Sequence, residues 1–260
     1  MKLIKDKIEE IKTNGYPLDF GIVFEHTFEN YKKIALYAGL MLLVFTILFG
    51  VLIAGVAVSI FGVDTVTESL KPENLKPENF SENFLLIYSV SLILFTCLMS
   101  PFQAGFLKMA DCGEKGEEFH VSTMFEYYKA PYFKEIFVST FLITLASSGF
   151  SLLLDFSGIK MIGSLIALLI SFLTFLTIPL IVFGKLKAVD AIKSSITIVT
   201  KQPLLLFGLV FVAGVASMTG LIGFIIGIFF TIPFIYSMNY CIYSTIIGFE
   251  SESESEKTAT

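Results

Sequence analysis

Few side chains in this chain of 260 residues are suited to catalysis or metal binding, and they are widely separated. The two histidines, His26 and His120, lie beside glutamates, but a catalytic zinc ion takes three protein ligands. Of the three cysteines, Cys97 and Cys241 fall in apolar runs and Cys112 in a predicted polar loop. No Cys-x-x-Cys pair is present, so a disulfide network is not expected. We therefore predict no catalytic, cofactor-binding or metal-binding residue.

Motifs for common enzyme classes are also absent from the sequence. There is no Walker loop, no Gly-x-Ser-x-Gly and no His-Glu-x-x-His. All 18 basic residues are lysines, and arginine is the residue that recognises phosphate with two parallel hydrogen bonds. The composition therefore gives no support for a nucleic-acid partner, and the chain is predicted not to be an enzyme.

The charges are separated from one another by five long uncharged runs. These runs are Ile34–Phe61, Phe84–Leu107, Ile136–Leu154, Met161–Gly184 and Gln202–Phe249. A membrane helix needs about 20 apolar residues, and a charge at its centre costs roughly 2.5–3.5 kcal/mol. The fifth run is long enough to cross twice, with the turn expected at Ser217–Gly223; one very long helix and five spans is the alternative. With 55% hydrophobic residues and a mean hydropathy of +0.79, the chain is predicted to be an all-α, multi-pass membrane protein with six spans.

The lysines predict an orientation. Fourteen lie before the first span, between spans two and three, and between spans four and five, whereas three lie on the opposite side. The positive-inside rule then places the N-terminus in the cytoplasm, and six spans return the C-terminus there. We expect a charged N-terminal segment (1–17), which is too polar for a signal peptide. A membrane domain (18–249) and a disordered acidic tail (250–260) follow, in a bacterial inner membrane.

Ionisable groups are missing from the middle of every predicted span. Asp64, Asp111 and Asp155 stand at span ends, where water is expected to reach them. Because intramembrane acids and bases usually mark ion pathways, this pattern argues against ion-coupled transport. Asn239 is the costliest polar residue to bury, and either an interhelical hydrogen bond or a cavity-lining position would accommodate it.

Small residues in the last run predict close helix packing. Gly220, Gly223 and Gly227 include a Gly-x-x-x-Gly pair, which lets two helix backbones approach each other. Packing within the bundle and homodimerisation both remain open on this pattern, and the oligomeric state is not predicted.

Three similar units follow one another along the chain, each an amphipathic stretch, an apolar helix and a second apolar helix carrying a proline. The prolines are Pro101, Pro179 and Pro233, and each is expected to kink its helix. The apolar faces are Phe20, Val23, Phe24, Phe28 and Tyr31 in the first stretch; Val121, Met124, Phe125 and Tyr128 in the second; and Val189, Ile192, Ile196 and Val199 in the third. This pattern is typical of interfacial helices, and predicts three pseudo-repeated hairpins with cytoplasmic interfacial helices.

Several short patterns resemble a known group of bacterial membrane proteins. They are Phe20-Gly21-x-Val23-Phe24-x-x-Thr27-Phe28-x-x-Tyr31, Pro101-Phe102-x-Ala104-Gly105-Phe106 and Ala188-x-x-Ala191-Ile192. That group is similar to the membrane domain attached to some glycerophosphodiester phosphodiesterases. The resemblance implies a six-helix integral membrane domain and no activity of its own.

Three functional hypotheses remain. The favoured one is a non-catalytic membrane scaffold or envelope-associated protein whose interfacial helices bind membrane lipid or a cytoplasmic or membrane protein partner. The second is a transporter or flippase of a lipid or small amphiphile, with a cavity lined by the hydroxyls of spans three and four. The third is a lipid-modifying membrane enzyme, for which no acid–base constellation is visible in the sequence.

Overall fold

The computed structural model describes residues 2–74, 76, 80–156, 160–223 and 226–248, and in those ranges every regular element is helical. The helices are α1 (Lys2–Asn14), α2 (Phe20–Phe61), α3 (Val63–Ser69), α4 (Glu82–Lys115), a 3-10 helix (Val121–Tyr128), α5 (Tyr132–Phe156), α6 (Lys160–Thr174), α7 (Thr177–Val182), α8 (Ala188–Val199), α9 (Pro203–Met218), a second 3-10 helix (Thr219–Gly223), α10 (Ile226–Thr231) and α11 (Pro233–Ile247). The predicted all-α class is therefore confirmed. The acidic tail lies outside the described residues.

Six segments of the described chain are long and apolar enough to cross a membrane. They are Phe20–Phe61, Asn83–Lys115, Tyr132–Ser151, Ile162–Val182, Pro203–Gly223 and Ile226–Ile247. The long C-terminal run is divided at the 3-10 helix Thr219–Gly223, where the sequence predicted the turn. The single long helix is not formed, and the chain has the helices of a multi-pass membrane protein.

The first predicted amphipathic stretch is continuous with the first span. The Asp19 carboxylate caps the start of α2 by accepting the Ile22 N–H at 2.9 Å, and no proline occurs between Phe20 and Gly62. At 1.5 Å per residue, the 42 residues of α2 extend about 63 Å, twice the ~30 Å hydrocarbon thickness. The first turns of α2 thus belong to the same end of the bundle as α1, and we call that end the lysine-rich end.

The apolar core is concentrated at the lysine-rich end. One cluster of buried side chains joins α1, α7, α8, α9 and α11, and a second joins α2, α4, α11 and the 3-10 helix Val121–Tyr128. Toward the opposite end the helices expose large apolar side chains. In α2 only 6% of an 18-residue apolar stretch is buried, whereas in the last span 44% of such a stretch is buried. The opposite halves of α2 and α4 therefore have apolar surfaces that the rest of the described chain leaves uncovered.

Close backbone contact holds the last two spans together. A Cβ added at Gly220 would lie 2.5 Å from the Gly227 carbonyl, and one added at Gly39 would collide with the Phe230 ring. Gly220 and Gly227 therefore pack closely within the bundle, but the Gly-x-x-x-Gly pair, Gly223 and Gly227, does not form this contact. Gly223, by contrast, has open space around it.

The three prolines have different effects on their helices. α4 continues through Pro101, whereas the chain leaves α-helical geometry just before Pro179 and Pro233, between α6 and α7 and between α10 and α11. Proline lacks the N–H that would bond the carbonyl four residues earlier. In α4 that carbonyl belongs to Cys97, and it accepts the Ser100 hydroxyl at 2.9 Å. This replacement bond explains why α4 remains unbroken.

Candidate functional site

A cluster of charged and polar side chains lies where α2, α4 and α11 meet at the lysine-rich end. α2 contributes His26, Asn30 and Lys33, which share one face because they are four and three residues apart. α4 contributes its last turns, from 108 to 115, and α11 contributes Tyr240. We call this group the polar cluster: His26, Asn30, Lys33, Lys108, Asp111, Glu114, Lys115 and Tyr240.

Asp111 is the most deeply buried charge of the polar cluster, with only 2% of the residue exposed. Its carboxylate is 2.8 Å from Lys108 Nζ and 3.1 Å from Lys115 Nζ. The Tyr240 hydroxyl donates to its Oδ1 atom at 3.2 Å. A buried carboxylate without partners would be strongly destabilising. These three donors compensate its charge, and the bond from Tyr240 ties α4 to α11.

Glu114 is the second acid of the polar cluster and faces α2. Its carboxylate is 2.9 Å from His26 Nε2 and accepts the Asn30 side-chain N–H at 3.3 Å. The Lys33 ammonium is 3.7 Å away. Asn30 also donates to the Ala110 carbonyl at 2.8 Å. α2 and α4 are thus held together by a charged network that is about one-third exposed at His26 and Glu114.

The contacts of the polar cluster provide charge compensation. The carboxylates are neutralised by lysines, and no hydroxyl or thiol in the described part of the chain is hydrogen-bonded to His26. The Cys112 thiol, which lies nearby, instead contacts Glu117 Oε2 at 3.8 Å. Among the described residues, no three His, Cys, Asp or Glu side chains are grouped to hold a metal ion.

Two expectations about this region were wrong. Asp111 was expected to reach water at a span end, and Cys112 was placed in a polar loop. Both are buried in α4, which continues to Lys115, beyond the uncharged sequence. The helix ends at Gly116, which has the left-handed conformation typical of a helix C-terminus. His120 is exposed and does not join His26, whose actual partner, Glu114, was not predicted.

Side-chain hydroxyls bond the main chain close to each of the three prolines. The Tyr128 hydroxyl donates to the Leu98 carbonyl at 2.8 Å, three residues before Pro101. The Tyr31 hydroxyl donates to the Phe230 carbonyl at 3.0 Å, three residues before Pro233. Each hydroxyl comes from an amphipathic stretch and reaches main-chain groups where a proline weakens helical hydrogen bonding.

The contact near Pro179 differs in residue type but has the same role. The Ser195 hydroxyl, from α8, donates to the Leu173 carbonyl at 2.9 Å and accepts the Leu176 N–H at 3.2 Å. It therefore bridges the interruption between α6 and α7. We call the contacts made by Tyr31, Tyr128 and Ser195 the hydroxyl contacts.

The amphipathic stretches turn part of their predicted apolar faces outward. Phe28 is 46% exposed, Val121 is 47% exposed and Val189 is 49% exposed. In the first stretch the side chains turned inward include Thr27 and Asn30, which are fully buried. The second stretch is a 3-10 helix whose three-residue period buries Met124, which belongs to the predicted face, and Tyr127, which does not. Burial also raises the pKa of the Tyr127 phenol, so Tyr127 remains neutral.

A groove of 630 Å³ lies at the lysine-rich end between α1 and α8. α1 packs there through Ile8 and Ile11, which are buried, and its Lys5 is 3.0 Å from Asp190 Oδ2. The helix ends at Asn14, and Tyr16 then donates its hydroxyl to the Ile198 carbonyl at 3.0 Å. Burial raises the pKa of the Tyr16 phenol, which keeps this donor protonated.

Comparisons with known proteins give no assignment for these features. No protein-family model, curated protein or solved structure matches the chain. The helices define a multi-pass membrane protein, and its activity has to be argued from the polar cluster, the hydroxyl contacts and the exposed surfaces.

Proposed function

We propose that this protein is a non-catalytic, lipid-associated scaffold of a bacterial inner membrane. The observation that carries the proposal is the uncovered apolar surface of α2 and α4. Leu52 and Ile53 of α2 are 60% and 56% exposed, and Leu86 and Ile87 of α4 are 64% and 63% exposed. Neighbouring residues of a helix point in different directions, so these pairs expose several sides of each helix. Such a surface is satisfied by lipid chains.

The charges of the polar cluster fit a structural role better than a catalytic one. Asp111 has three donors around it and Glu114 has three. Glu114 joins α4 to α2, and Asp111 joins α4 to α11 through Tyr240. Two of the hydroxyls expected to line a transport cavity are instead bonded within their own helices. Ser139 and Thr174 donate to carbonyls of their own helices. These contacts favour the scaffold over the transporter and over the lipid-modifying enzyme.

We also propose that the chain consists of three similar units arranged in a ring. The hydroxyl contacts support this because they connect the units in a cycle: the first stretch bonds the proline helix of the third unit, the second stretch that of the first, and the third stretch that of the second. A ring of three hairpins held at the lysine-rich end accounts for the position of the core. In this arrangement the lysine-rich end, with both termini, faces the cytoplasm.

Removal of the hydroxyls tests the ring. Tyr31→Phe, Tyr128→Phe and Ser195→Ala should each destabilise the protein by about 1 kcal/mol, because each removes a hydrogen bond between a side chain and the main chain of another helix. Tyr37→Phe is the control, since no hydrogen bond from the Tyr37 hydroxyl occurs in the described part of the chain. Equal melting temperatures for Tyr37→Phe and all three variants would contradict the proposal.

Lipid retention tests the function. The full chain is extracted in native lipid nanodiscs, and the retained lipids are identified by mass spectrometry. A scaffold should retain the phospholipids of the membrane in which it resides. Enrichment of one non-bilayer amphiphile in a one-to-one ratio with protein would instead favour the transporter, and would overturn the scaffold assignment.

A further inference from the structure

The groove between α1 and α8 combines a cationic rim with an apolar floor. Three lysines and two acids line the rim, Lys5, Glu9 and Lys12 from α1 and Asp190 and Lys193 from α8, which leaves one excess positive charge, while Ile8 and Leu186 form the floor. Ile8 and Leu186 are 7% and 2% exposed, so the floor belongs to the folded core. This combination distinguishes the groove from the rest of the charged surface at the lysine-rich end.

The charges that line the groove are unequally compensated. Lys5 pairs with Asp190 at 3.0 Å and Lys12 pairs with Glu9 at 3.3 Å. Lys193 has no acidic partner within the part of the chain that the structure describes. An ammonium group has three N–H donors, so Lys5 and Lys12, which are 48% and 60% exposed, retain donors for an incoming anion. The groove is therefore electrostatically suited to a negatively charged group.

The groove is close along the chain to the start of a predicted span. Its residue Thr197 is six residues before Pro203, where α9 begins. Leu204, in the first turn of α9, is 86% exposed. Such an apolar side chain belongs in lipid, and the neighbouring groove thus opens where phospholipid headgroups are found.

We propose that this groove binds the headgroup of an anionic phospholipid, with the phosphate at Lys193 and the upper part of an acyl chain over the floor. The inference rests on the proposed lipid-associated function and names the lipid class and the site. Free phosphate would use the lysines but not the apolar floor. A lipid uses both, and its chains continue into the bilayer beside α9.

Binding of a labelled lipid to the full chain tests the site. The protein is placed in phosphatidylcholine nanodiscs, and association of fluorescent phosphatidylglycerol is titrated. Lys193→Gln should weaken the association about fivefold, the change expected for one lysine near an anionic surface. The control is Lys134→Gln, because Lys134 is also exposed at the lysine-rich end but does not line the groove. Equal affinities for the two variants would overturn the proposal.

Two further arms identify the occupant. Inorganic phosphate at the concentration of the labelled phosphatidylglycerol should not displace that lipid. Displacement would identify the groove as a site for free phosphate instead. A chain ending at Gly248 should bind the lipid with unchanged affinity; a fivefold rise would identify the acidic segment 250–260 as the occupant. Retention of bulk phospholipid by Lys193→Gln keeps the scaffold proposal intact even if the headgroup site fails.

Discussion

Replacement of Asp111 by asparagine should be the most damaging conservative change in the polar cluster. The carboxylate is buried and is 2.8 Å from Lys108, whose side chain is only 23% exposed. The amide of the substituted side chain would keep a hydrogen-bond acceptor but leave the Lys108 ammonium without its counter-charge. Removing one partner of a buried ion pair costs about 3–5 kcal/mol, and the residual exposure of Lys108 places the expected cost at about 3 kcal/mol.

The native cysteines provide the assay for this prediction. Cys97, Cys112 and Cys241 are all buried, so a thiol-reactive fluorogenic dye should report unfolding during a temperature ramp. A loss of 3 kcal/mol corresponds to a fall in melting temperature of about 6–12 °C for a chain of this size. The matched control is Lys115→Gln; the Lys115 side chain is 46% exposed, and its loss should cost about 1 kcal/mol or less. If Asp111→Asn melts within about 2 °C of the wild type, a shift equivalent to less than 1 kcal/mol, the ion pairs do not hold α4 in place and the reasoning fails.

Two further predictions concern helix packing and the thiols. Gly220→Ala should lower the melting temperature more than Gly214→Ala, because a Cβ at Gly220 meets the Gly227 backbone at 2.5 Å whereas Gly214 has open space. Overpacking of this kind costs about 1–3 kcal/mol. Equal melting temperatures for the two variants would contradict close packing at Gly220. Cys112 in the folded protein should resist a membrane-impermeant maleimide from either side of the membrane, since it is 4% exposed, and rapid labelling of the folded chain would contradict its position in α4.

The spans could be predicted from the sequence because their signal is local. Exclusion of charge over about 20 residues and the turn residues at Ser217–Gly223 are properties of neighbouring positions, and they placed all six spans. The interruptions of helical geometry near Pro179 and Pro233 were likewise indicated by a local signal, the proline itself. The continuation of α4 through Asp111 was not predicted, because a charged sequence after an apolar run resembles a loop until its partners are known.

The polar cluster depends on contacts between distant parts of the chain. Asp111 meets Tyr240, and His26 meets Glu114, 88 positions further along; no spacing rule joins such pairs. The inward side of α2 was not predicted either: Thr27 and Asn30 are buried, whereas Phe28 of the predicted apolar face is exposed. An exposed apolar face is compatible with contact to lipid, so the interfacial role of this stretch stays a prediction.

The central claim is a six-span bundle with its lysine-rich end and both termini in the cytoplasm. Single cysteines introduced at Glu118 and Thr65, both exposed positions, and at Ser251 in the tail can be labelled with an impermeant maleimide in intact and permeabilised cells. We predict that Thr65→Cys reacts in intact cells, and that Glu118→Cys and Ser251→Cys react only after permeabilisation. Reaction of Ser251→Cys in intact cells, with Glu118→Cys still protected, would contradict six spans, and the reverse pattern at Thr65 and Glu118 would contradict the orientation.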